Sequence, residues 1–198
     1  MLPMTNSKDP RRPTVVLLTT SRTYRARPFA SAAERLGLHV LWGIDLPTEI
    51  STGRQLALRV DFRNQDQAVQ AIVSMQADRE VKAILALDDA ASLIAAEASR
   101  ALGLPHNAPG AALAARDKGV MRNELQASGI PCPRFSTYQL DANPATVAAQ
   151  TRYPCVLKPT LLNGSQGVIR ANTRPEFKKA WERVKTIIEN SVGLQILV

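Results

Sequence analysis

Cysteine is scarce. The 198 residues hold two, Cys132 and Cys155, in no C-x-x-C pair and at no metal-ligand spacing. Histidine is equally sparse, with His39 and His106 and no H-x-x-x-H pattern. Together these shortages exclude a structural zinc site. Aromatic residues make up only 5% of the chain, so Leu, Val, Ile and Ala must fill most of a core. No apolar run approaches the ~18 residues that cross a bilayer. No apolar h-region stands near the N terminus, where Lys8, Asp9, Pro10, Arg11, Arg12 and Pro13 cluster, so the sequence predicts no secretory signal. The resulting expectation is a cytoplasmic chain with reduced thiols. Neither G-x-x-x-x-G-K-[ST] nor G-x-G-x-x-G occurs, which excludes the P-loop and the dinucleotide fingerprint. There is no internal repeat and no low-complexity segment.

What is present is a globular composition: 45% apolar and 21% charged residues, over a length that suits one large domain or two small ones. The net charge of +8 favours an anionic partner: nucleic acid, anionic lipid or a phosphate-bearing small molecule. The basic residues are spread along the chain, apart from the Arg11-Arg12 pair, whereas a nucleic-acid binder concentrates its charge on one element and interleaves aromatics. Nucleic acid is therefore the less favoured partner.

Residues 1–13 read as a polar, Pro-rich tail. Thr14–Thr19 is a short β-branched run of the kind that forms a buried strand. Phe29, Ala33 and Leu36 follow at helical spacing, stopped by Gly37. Leu38–Trp42 is a second strand. Ala68, Ile72 and Met75 mark a helix before a third buried strand at Val81–Leu87. Ala90, Ile94, Ala98 and Leu102 mark another helix, stopped by Gly103 and Pro105. Alternating strands and helices predict βαβ units, so residues 14–107 read as a small open α/β domain with a parallel sheet. Ligands of such sheets sit at the carboxyl ends of the strands. Ser21, Arg22 and Arg25 follow the first strand, and Asp88 and Asp89 the third. They read either as substrate contacts or, more simply, as helix caps and solvated faces.

Residues 108–130 read as linker helices. A break is expected near Arg116-Asp117, with Asp117 as N-cap and Gly129 as terminator. Residues 131–198 form a second α/β unit. Pro131 and Pro133 force an extended segment. Arg134–Leu140 reads as a strand and Pro144–Thr151 as a short helix. Cys155–Lys158 reads as a buried strand whose hairpin partner is Gly167–Ala171. Thr173-Arg174-Pro175-Glu176 is a capping box. Phe177, Ala180, Trp181, Val184 and Ile188 fall on one helical face, and Leu194–Val198 is a last apolar strand.

The stretch that carries chemistry is Lys158-Pro159-Thr160-Leu161-Leu162-Asn163-Gly164-Ser165-Gln166-Gly167-Val168. A lysine ends a strand, and a small flexible loop with two glycines follows. Free backbone N–H groups and one fixed positive charge suit a phosphate. Taken alone, the same stretch is also an ordinary hairpin behind an exposed lysine. Forty residues upstream stands Arg116-Asp117-Lys118-Gly119-Val120-Met121-Arg122, then Ser128-Gly129-Ile130-Pro131-Cys132-Pro133.

That order, D-K before an amphipathic helix, then G-I-P-x-P, then Y-P-x-V-x-K-P and a Gly-bearing loop, resembles the ATP-grasp superfamily. Biotin carboxylases, carbamoyl-phosphate synthetases and amino-acid ligases belong to it. The resemblance covers residues 14–198 and includes Leu102-Gly103-Leu104-Pro105. It implies a small parallel-sheet pre-ATP-grasp domain, then linker helices and the α+β lid subdomain of an incomplete ATP-grasp fold. It further implies that Lys118 and Lys158 contact the phosphates of ATP, and that Gly164, Ser165, Gln166 and Gly167 form the mobile loop over the β- and γ-phosphates. Two glycines are fewer than the loops of biotin carboxylases carry. Arg170, on the returning strand, is a further phosphate candidate.

The implied activity is carboxylate–amine (or carboxylate–thiol) ligation through an acyl phosphate, with a small-molecule carboxylate as partner of ATP. Magnesium is implied too, with its acidic ligands beyond the equivalent of Val198. The chain stops in an apolar strand, read as an unpaired edge, so a missing C-terminal half or second chain is expected, with a homo-oligomer as a further option, and no ligase activity from this chain alone. The alternative is a non-catalytic nucleotide- or partner-binding module. Cys132 and Cys155 read as small apolar fillers.

Overall fold

The structure, a computed structural model, describes residues 13–21, 23–45, 57–77, 79–189 and 195–198. Nearly all of the expected N-terminal tail, together with Arg22 and Leu194, lies outside the described residues. The chain divides into two compact units, residues 1–113 and 114–198.

In the first unit, β1 (Thr14–Thr20) is flanked by β2 (His39–Asp45) and β4 (Val81–Ala86), and β3 (Ala57–Arg59) pairs with β2. The order is β3-β2-β1-β4, and all three pairings are parallel. The alternation of β1 sends its side chains into two separate cores. Val16 and Leu18 pack with Ala68 and Ile72 of α2 (Gln65–Ser74) and with Ile94 and Ala98 of α3 (Ser92–Ala101). Val15 and Leu17 pack with Ala26, Ala30 and Ala33 of α1 (Ala26–Arg35). A strand buried on both faces must be apolar throughout, which is why Val15–Leu18 reads as one unbroken run.

Two expectations need correction here. The run ending at Leu87 is not buried throughout. In the edge strand β4 Val81 and Ile84 are buried, whereas Lys82 is exposed and Leu85 is 41% exposed. The short strand β3 is absent from the sequence reading, because three residues carry too little pattern to stand out.

Helix α4 (Pro109–Arg116) contains the point in the chain, after Leu113, at which the two units divide. Helix α5 (Lys118–Ala127) follows after a break at Asp117, whose carboxylate accepts from the N–H groups of Gly119 at 2.7 Å and Val120 at 3.1 Å. Helix α5 ends at Gly129, with φ +69°.

The second unit holds a sheet in the order β5-β8-β6-β7, built from β5 (Thr137–Tyr138), β6 (Cys155–Pro159), β7 (Ile169–Ala171) and β8 (Ile196–Leu197). All its pairings are antiparallel. Its core is made with α6 (Pro144–Gln150) and α7 (Arg174–Ile188). Phe177, Ala180, Trp181, Val184 and Ile188 of α7 are all buried, as their spacing requires. Trp181 stacks at 5.9 Å from Phe177 and meets Tyr138 edge-on at 6.0 Å. The capping box is half formed. The Thr173 hydroxyl accepts from Glu176 N–H at 3.4 Å, whereas the Glu176 carboxylate reaches past the cap to Asn172 N–H at 2.9 Å.

Three further corrections belong to this unit. The expected strand Arg134–Leu140 contracts to Thr137–Tyr138, extended by reciprocal 2.9 Å bonds between the backbones of Ser136 and Val198. Strand β6 is not fully buried: Leu157 is in the core, but Val156 is 42% exposed. The last strand is no unpaired edge, since β8 lies between β5 and β6 with Ile196 and Leu197 buried. Among the described residues, no helix is long and apolar enough to cross a membrane.

Candidate functional site

Alternation along β6 decides what faces outward. Leu157 and Pro159 turn to the core, so Val156 and Lys158 turn to the open face. Pairing brings neighbours to them: Arg170 of β7 stands opposite Val156, and Leu197 of β8 opposite Lys158. Arg122 lies one turn along α5 from Lys118, on the same helix face. These residues bound a cleft of about 1200 Å³ within the second unit. Its cations are Arg122, Arg134, Arg152, Lys158 and Arg170, and among the described residues no acidic side chain lines it. Ile130 and Val156 add apolar wall.

The electrostatics follow from that lining. The Lys158 ammonium is pushed below its usual lysine range, first by partial burial and then by the positive charges of Arg122 and Lys118. Among the described residues its ammonium makes no hydrogen bond or ion pair. Several like charges held together without counter-charge form an anion site.

Lys118 does not line the cleft. Its ammonium donates to the carbonyls of Thr160, at 3.2 Å, and Leu162, where the chain leaves β6. The loop residues Gly164, Ser165, Gln166 and Gly167 do not line the cleft either. They form two successive turns, with Gln166 N–H donating to the Asn163 carbonyl at 3.2 Å and Val168 N–H to the Ser165 carbonyl at 3.3 Å. Gly164 (φ +60°), Ser165 (φ +58°) and Gly167 (φ +72°) are all left-handed. So the structure gathers Lys158 and Arg170 of the expected set, and holds Lys118 and the loop at the mouth of β6. Sequence reasoning missed Arg122, Arg134 and Arg152. Arg122 alone had a signal, its i,i+4 spacing from Lys118.

The order of two family matches decides the family. The ATP-grasp N-terminal domain matches residues 29–106, and the ATP-grasp domain matches residues 151–194. The chain belongs to the ATP-grasp superfamily. The uncharacterized protein y4rH of Sinorhizobium fredii (strain NBRC 101917 / NGR234) is 26% identical over 168 residues, 83% of this chain and 35% of that protein. An L-amino acid ligase from Bacillus licheniformis superposes with a TM-score of 0.65 at 21% identity, covering 94% of this chain and 44% of the ligase. D-alanyl-alanine synthetase A from Vibrio cholerae superposes at 0.60 and 15% identity, over 94% of this chain and 58% of that one. Likeness at that identity is one of fold. This ATP-grasp chain spans about a third of its curated relative and less than half of the Bacillus ligase.

The superfamily resemblance implies magnesium, and the residues present do not fit it. Among the described residues, no group of three or more His, Cys, Asp or Glu could hold a metal ion, and the cleft has no carboxylate.

In the first unit, Asp88 and Arg25 at the sheet's carboxyl end make contacts within the fold. Asp88 makes no cap bond; its carboxylate binds Thr19 and Thr20 of β1. The Arg25 guanidinium donates to the Leu87 carbonyl at 3.0 Å and lies 5.4 Å from the Tyr24 ring. The Cys155 thiol is pushed up by burial, and both cysteines are free and line the cleft.

Proposed function

We propose that this chain is the nucleotide-phosphate-binding front of an ATP-dependent ligase that joins a carboxylate to an amine. The observation that carries the reading is the acid-free cleft with Lys158 among four arginines. A triphosphate brings several negative charges, and a bound anion offsets the burial and the like charges that together depress Lys158. Lys158 and Arg122 would hold phosphate oxygens, Ile130 and Val156 offer apolar surface, and residues 164–167 close over the phosphates. Left-handed turns in an exposed loop suit a lid that re-folds on contact. The relatives with ligase or synthetase names and a similar fold support the class of reaction.

In that class, a carboxylate oxygen attacks the γ-phosphorus and ADP leaves. An amine then attacks the acyl carbon of the acyl phosphate and phosphate departs. This chain's residues supply binding and positioning for the first step. Among the described residues no acidic side chain lines the cleft, and the expectation is that the chain on its own binds nucleotide without turning it over.

The test is calorimetric titration of the chain with ATP and ADP, in the wild type and in Lys158→Met. Saturable binding that weakens at least tenfold in the variant supports the reading. Equal affinity in both proteins, or no binding in either, overturns it. Acyl phosphate formation by this chain alone would overturn the division of labour.

A further inference from the structure

Lys118 holds a place that its sequence position does not announce. Its backbone N–H donates to the Thr160 carbonyl at 2.9 Å, and its ammonium donates to the same carbonyl at 3.2 Å and to that of Leu162. Thr160 is buried and is itself pinned to Gln195 by a 3.0 Å backbone bond. Leu162 has no such strand partner, yet it is the last half-buried residue before the exposed turns at 163–166. The ammonium therefore ties the outgoing leg of the loop to the fixed end of β6. Its own position is set by the Asp117 cap one residue earlier. The fit at this point is close. A Cβ on Gly119 would stand 3.2 Å from Thr137 Cγ2 and 3.6 Å from Thr160 Cγ2, so the start of α5 cannot drift without disturbing the sheet.

We propose that Lys118 is a positioning residue for the 161–167 loop: its ammonium clamps the Thr160 and Leu162 carbonyls and so sets where the two loop turns begin. The inference rests on the reading of residues 164–167 as the lid over bound phosphate. A charge-assisted bond to a carbonyl is stronger than a neutral one, so its loss is felt in the loop first.

The test reads the loop's amides without nucleotide, so a failed clamp and a failed nucleotide site are told apart. Hydrogen exchange by NMR compares the wild type with Lys118→Met and Lys118→Arg. The expected result is that the Gln166 and Val168 amides exchange about tenfold faster in Lys118→Met. Amides of α7 should be unchanged, and Lys118→Arg, which keeps donors for both carbonyls, should recover most of the protection. Unchanged Gln166 and Val168 amides in Lys118→Met overturn the proposal. So does an equal acceleration across α7, which would make Lys118 a residue of general stability. A Lys118→Arg protein that behaves like Lys118→Met overturns it as well.

Discussion

Asp88 Oδ2 accepts two hydrogen bonds from Thr20, one from its N–H at 2.8 Å and one from its hydroxyl at 3.1 Å. A third comes from the Thr19 hydroxyl at 3.0 Å. One carboxylate oxygen thus lashes the end of β1 to a residue two positions beyond β4, at the edge where parallel sheets receive ligands.

Asp88→Ala should lower the stability of the first unit by about 1–2 kcal/mol at neutral pH. Partial burial pushes this carboxyl up, but the bonds from Thr20, Thr19 and Thr23 outweigh it and hold it below the usual range. A depressed carboxylate stabilises above its unfolded pKa, near 4, and the gain disappears as pH falls through the folded value. Urea unfolding followed by Trp42 fluorescence, in a Trp181→Phe background, should show the gap between wild type and variant at pH 7 narrowing below pH 4.

Lys158→Met should make the second unit slightly more stable while weakening anion binding. The lysine's charged form is disfavoured in the fold by burial and by Arg122 and Lys118. Its neutral replacement therefore raises the melting temperature by about 1–2 °C, a small gain because the side chain is largely solvated. The same depressed pKa means that wild-type affinity for tripolyphosphate falls as pH rises through that value, below the ordinary lysine range. Calorimetry at several pH values checks the sign.

Asp117→Ala should cost about 1 kcal/mol, because the N–H groups of Gly119 and Val120 lose their acceptor. Asp117→Asn should recover most of it. Chemical denaturation read at Trp181 distinguishes the two.

Gly167→Ala should cost about 1–2 kcal/mol. Its φ is +72°, and a Cβ would meet Pro159 Cγ at 3.0 Å. Ser165→Gly, at φ +58°, should be neutral or mildly stabilising, since it removes a side chain from the same backbone region. Urea midpoints of the two variants should move apart.

Legibility followed the range of the physics involved. Helix α7, the Asp117 cap and the glycine terminators at 37, 103 and 129 are local devices, so their residues announce them. The loop after Lys158 was legible for the same reason. Arg134 and Arg152 join the cleft only because the sheet and the segments flanking it fold together, and nothing local marks either residue. The Asp88 carboxylate reads as a cap because it precedes a helical turn, and its true partners lie 68 and 69 residues away. Strand β8 reads as an edge because its two neighbours come from β5 and β6, far upstream.

That last arrangement sets a clock on biosynthesis. Thr137 and Leu197 are register partners sixty residues apart. At ribosomal speeds of about 5–20 residues per second, β5 waits several seconds for β8 to be made. From the completion of β7 until then, β6 has only one of its two neighbours, and Ile196 is not yet there to close the layer over Phe177 and Trp181. The nascent second unit is therefore a natural client for a chaperone until its central strand emerges, whereas the sheet of the first unit needs no residue beyond β4.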